Sequence, residues 1–168
     1  MITEIYKEGK ENLEFHLKNW DILTKEANTS LAIIMFAGFS AIGFTAQYIE
    51  KEAPFFLIFA LLLVSLHLLT VSVLIVHHCL RASNVMPAAN EPKNLHHPDF
   101  EWEEILEADL ENLQKSIESN AESCANKGKW LNRLRYAAFA VVFTFFLGVY
   151  LGKMLEHFSW AYFLAQIF

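Results

Sequence analysis

Tyr136-Ala-Ala-Phe-Ala-Val-Val-Phe-Thr-Phe-Phe-Leu-Gly-Val-Tyr-Leu-Gly152 holds no charged side chain and is long enough, as a helix, to cross a bilayer. What leads into it decides the fold. Upstream, Leu106, Leu110, Leu113, Ile117, Asn120, Cys124, Lys127, Leu131, Leu134 and Ala138 recur in alternating steps of four and three. That spacing is a heptad seam, the mark of a helix lying along another helix. No proline separates seam from apolar run, so one helix is predicted from Trp102 to Gly152, roughly 75 Å long at 1.5 Å per residue. A basic collar of Lys127, Lys129, Arg133 and Arg135 lies where the two halves meet, and is expected at the membrane surface. The element is a helical arm, 100–135, continuous with a transmembrane helix, 136–152.

Outward from this element the rest of the chain follows the same pattern. Leu31–Ile49 is a second charge-free run, and Pro54–Val76 a third, rich in Phe and Leu. Glu50-Lys51-Glu52 leaves room only for a turn, which makes residues 30–80 a transmembrane hairpin. Residues 1–29 form an amphipathic helix with Ile2, Ile5, Tyr6, Leu13, Leu17, Trp20, Leu23 and Ala27 near one face. It either packs on the other extramembrane helix or lies at the interface. Residues 81–99, with three prolines and His96-His97, read as a loop. Asp99 can cap the arm, whose first turns are crowded with Glu. The tail 153–168 is too short to cross, and is expected to bend and lie half-inserted, with Trp160 and Tyr162 at the interface.

Composition agrees. The chain has 168 residues, of which 54% are hydrophobic, and its net charge is −6. Its charges are segregated, which marks a membrane protein, and no basic face suits nucleic acid. Eleven of the thirteen Lys and Arg residues fall on one side of a three-span arrangement, leaving Lys51 and Lys153 on the other. The positive-inside rule then puts the N-terminus and the arm in the cytoplasm. Two or four spans are the other arrangements. No secretory signal peptide is expected. The fold class is an all-α integral membrane protein with three transmembrane helices: a two-span hairpin, then an arm continuous with the last span.

Few residues carry chemistry. His67 falls near the middle of the second span, with Ser65 and Thr70 nearby, and an ionisable group there faces the bundle or a water path. It could line a pore; equally, a neutral ring could bond to Ser40, Ser65 or Thr144. Thr144, Gly148 and Gly152 form a ladder of small residues that permits close helix contact, within the chain or between copies. The seam Leu106, Leu110, Leu113, Ile117, Asn120, Cys124 and Leu131 asks for a helical partner, and Asn120 and Lys127 could set register in a homo-oligomer. Alternatively Lys127 snorkels to water. His77, His78, Cys79, His96, His97 and Cys124 are metal-ligand types without metal-ligand spacing, so no metal is expected. The two cysteines read as free thiols. No catalytic motif is present, so no enzyme and no cofactor is expected.

Two stretches carry a resemblance. Lys25-Glu-Ala-Asn-Thr-Ser-Leu-Ala-Ile-Ile34 leads into the first span. Leu106-Glu-Ala-Asp-Leu-Glu-Asn-Leu-Gln114, followed by the Lys and Arg cluster up to Arg135, leads into the last. Together they resemble small bacterial transmembrane effectors of the Pycsar antiphage system, and effectors of retron defence have a similar plan. The order of acid and lysine differs, with Lys25 before Glu26, and Asp99-Phe100-Glu101-Trp102 stands where those proteins carry Tyr-Phe-Gly. The resemblance implies a protein of the bacterial inner membrane that acts in abortive infection. It would assemble on a nucleotide-second-messenger or ribonucleoprotein signal and destroy the membrane barrier. A membrane anchor that recruits a soluble partner is the alternative, and a holin-like lysis protein a third reading.

Overall fold

The computed structural model describes residues 2–81, 85, 86 and 101–167, with backbone alone from 159 onward. All regular structure among them is helical: α1, Ile2–Glu50; α2, Phe55–Ile75, ending in a π-helical turn, Val76–Leu80; α3, Trp102–Phe139; and α4, Val141–Ile167. Three stretches of helix, within Ile2–Glu50, Phe55–Leu80 and Trp102–Phe158, are long and apolar enough to cross a membrane. The expected Asp99 cap, His96-His97 and nearly all of the 81–99 loop lie outside the described residues.

The chain divides into two compact units, Met1–Glu26 with Arg81–Lys129 and Ala27–Leu80 with Trp130–Phe168. In the first unit the N-terminal part of α1 and the arm α3 lie side by side and parallel. Tyr6 reaches Asp109 and Thr24 reaches Lys127, both at a sequence offset of 103. The seam of the arm closes on this partner: Leu106, Leu113, Ile117, Asn120 and Lys127 are all buried, and Leu113 and Ile117 cluster with fully buried Leu13 and with partly buried Tyr6 and Leu110. The seam thus finds a helical partner within the chain, because residues 2–26 present a matching apolar stripe. α3 starts with Glu104 Oε2 accepting the Glu101 backbone N–H at 3.2 Å, half of a capping box.

The second unit is a bundle of three helical segments. α1 turns back into α2 through Lys51–Pro54, where Ala53 N–H donates to Tyr48 O and Glu52 N–H to Ile49 O. These are the paired bonds of a Schellman motif, and Glu52 occupies its left-handed position with φ 52°. Gly38 of α1 faces Leu68 and Leu69 of α2. α2 and α4 run antiparallel and very close. A Cβ on Gly148 would stand 2.7 Å from Ala60 Cα, and one on Gly152 2.6 Å from Phe56 Cα. The small-residue ladder thus packs within the chain. Glu156 Oε1 accepts the Phe56 N–H at 3.2 Å and so caps the start of α2.

Three boundaries differ from expectation. The amphipathic segment 1–29 and the first span are not separate elements; α1 runs through both unbroken. The run from arm to apolar segment continues as one rod but is interrupted at a single residue, Ala140, whose own i→i−4 bonds, to Tyr136 O and from Thr144 N–H, are kept. The tail does not bend after Lys153, since α4 continues to Ile167, while Trp160 and Tyr162 have no described side chains.

Candidate functional site

The break at Ala140 is where the bundle's polar chemistry collects. Ala140 N–H shares the carbonyls of Tyr136 and Ala137, each at 3.1 Å, a local tightening of the helix. His67 reaches across from α2 and sets its Nε2 2.8 Å from the Ala137 carbonyl oxygen. Its Nδ1 lies 3.3 Å from the Thr144 hydroxyl. A side chain bonded into the backbone ladder is a recognised cause of a helix break. Of the partners considered for His67, Thr144 is the one the fold supplies. Thr144 is thus a hydrogen-bonding residue, whereas Gly148 and Gly152 make the close contacts.

Ser65 and Thr70 do not join this node. Ser65 is buried and bonds back to Leu61 O, while Thr70 is on the exposed face and bonds back to Leu66 O. At the end of α2, the His78 ring stacks on Trp130 at 3.9 Å and 5°, with the Arg133 guanidinium 5.5 Å from that indole. Cys79 beside it is buried. Among the described residues no group of three or more potential metal ligands gathers.

The polar members of the seam have specific partners in the first unit. Asn120, 1% exposed, accepts from Met86 N–H and donates to Met86 O, both at 3.1 Å. Its amide fixes the described piece of the connecting segment, rather than a register between copies. Lys127 is 4% exposed, donates to Thr24 Oγ1 and sits 3.7 Å over the Trp20 ring. It is therefore neither a surface collar residue nor a snorkelling one: a cation–π contact holds the charge inside the helix pair. Lys129 and Arg133 are exposed, and Arg135 is half-buried with its Nε donating to Ser30 Oγ at 3.2 Å. Cys124 donates to His16 O, and burial pushes its thiol pKa up against the opposing pull of Lys127. Tyr6 donates to Asp109 at 2.5 Å, and burial, with that bond, raises its phenol pKa.

Sequence reasoning placed His67, Thr144 and Asn120 but missed the Ala140 break, the Met86 clamp and the Glu156 cap. Nothing in the spacing announces them: each depends on a side chain meeting backbone far along the chain. The outer faces of the bundle are strongly apolar; Phe36, Phe139 and Phe143 are each more than 75% exposed. Comparison with protein families, with curated proteins and with solved structures finds no match.

Proposed function

We propose that this chain is a membrane effector of bacterial antiphage defence. Its three apolar segments cross the inner membrane with the N-terminus and the arm in the cytoplasm. On a trigger, a nucleotide second messenger or a ribonucleoprotein regulator, the bundle opens and dissipates the membrane barrier. One observation carries the reading. An ionisable ring and a hydroxyl meet at a helix break inside an otherwise uncharged bundle. A plain anchor gains nothing from such a node, which is costly in hydrocarbon and attracts water once helices separate. Since seam and glycine ladder are used within the chain, homo-oligomerisation draws on the exposed row Phe139, Phe143, Phe146, Leu147 and Tyr150.

A second reading has its own support. With its seam filled and Met86 clamped by Asn120, the first unit is a finished helical module. It could recruit a soluble defence or signalling partner without any pore. Controlled induction in bacteria, with the trigger present and a potentiometric dye recording, separates the two. Loss of potential followed by growth arrest supports the effector. Steady potential and growth, alongside a partner retained in pull-downs on the first unit, supports the anchor.

A further inference from the structure

We propose that His67 is a proton-binding site within the bundle, built so that its ring can be held in either protonation state. A carbonyl oxygen only accepts, so Nε2, 2.8 Å from Ala137 O, carries a hydrogen. In the neutral ring Nδ1 is then an acceptor, and the Thr144 hydroxyl donates to it across 3.3 Å. That hydroxyl also lies 3.4 Å from the Ala140 carbonyl oxygen. Having one hydrogen, it can serve only one of them at a time.

When a proton from water binds Nδ1, the ring donates from both nitrogens. Nε2–H stays on Ala137 O, Nδ1–H now points to the Thr144 oxygen, and the hydroxyl hydrogen turns to Ala140 O. One proton is gained, none is displaced, and every donor keeps an acceptor in both states. Simple packing does not require this. Thr45, Ser65, Thr70 and Ser72 each satisfy their hydroxyls by bonding back to the carbonyl four residues earlier, an arrangement with a single state.

The surroundings leave the node to carry the charge. α3 brings Arg135 and Tyr136 just before Ala137; Arg135 Nε is turned to Ser30, and Tyr136 is exposed. After Thr144, the next titratable side chain on α4 is Tyr150. α2 offers none from Phe55 to Val76 besides His67, and α1 none from Leu31 to Gln47. No carboxylate lies along these segments. Protonation therefore places an uncompensated positive charge at the helix break, where it draws water into the bundle. The inference deepens the proposed function, resting on its membrane placement and naming a proton as what the node reads.

The test uses the full chain, with 15N-labelled histidine, in lipid nanodiscs, and His67→Gln assigns the signal. At about pH 8 the ring is expected neutral with its hydrogen on Nε2, converting to the doubly protonated form as pH falls. Thr144→Val removes the oxygen that accepts Nδ1–H, so the midpoint should move about one unit lower, a tenfold weaker hold on the proton. Thr144→Ser should restore it. If His67→Gln fails to fold, the resonance displaced by Thr144→Val makes the assignment. A ring neutral down to about pH 4, a hydrogen on Nδ1 at high pH, or Thr144→Val titrating like the wild type each overturns the proposal. The readout needs no membrane leak. Absent depolarisation with titration intact sinks only the effector, and absent titration with depolarisation intact sinks only the proton site.

Discussion

Asn120 spends both ends of its amide on the backbone of Met86, so replacing it leaves a donor and an acceptor together without partners. Asn120→Ala should cost about 1–3 kcal/mol, read by chemical denaturation of the detergent-solubilised protein. Asn120→Asp should not rescue it, since a carboxylate cannot donate to Met86 O. Tyr6 gives a pH prediction of definite sign. Its folded-state pKa is raised, chiefly by burial and then by the Asp109 bond. The stabilisation is complete below the unfolded value of about 10, and is lost as pH climbs through the higher folded value. Wild type should therefore lose stability in that alkaline window more steeply than Tyr6→Phe. Equal alkaline curves for the two proteins would dismiss the coupling.

At the level of elements, the turn and the glycine crossing give the sharpest expectations. Glu52 holds the left-handed position that glycine fills without strain. Glu52→Gly should stabilise by about 0.5–1 kcal/mol, seen as a higher unfolding midpoint. Gly148→Leu and Gly152→Leu act the other way. Their side chains would have to displace the backbone of Ala60 and Phe56, at a cost of about 1–3 kcal/mol or more. Helix type and extent were legible because the seam and the apolar runs are long and strongly periodic. So was the choice of His67, from one ionisable residue set among Leu and Val. The seam's partner was not legible, because heptad spacing says a helix is needed without saying whose. Lys127 misled for a related reason: a lysine beside Lys129 and Arg133 looks like surface charge until Trp20 and Thr24 are brought over it.

For the molecule as a whole, the proposed three-span placement makes a labelling prediction. In a background with Cys79 and Cys124 replaced by Ala, Lys51→Cys and Lys153→Cys should react with a membrane-impermeant maleimide added to intact spheroplasts. Glu118→Cys, exposed on the arm, should react only after lysis. Labelling of Glu118→Cys from outside would reverse the orientation and remove the basis for a cytoplasmic trigger. The parallel pairing of α1 with α3 also has a consequence in time. Residues joined at an offset of 103 are made far apart during synthesis. At roughly 5–20 residues per second, Leu13 and its neighbours are made about 5–20 s before Leu113 and Ile117. Through that interval the nascent chain has a bare apolar stripe and, behind it, a hairpin of two helices long and apolar enough to cross a membrane. Whatever covers the stripe meanwhile, chaperone or lipid, must give it up when the arm arrives, and slowing that hand-over is a way to leave newly made copies unlatched.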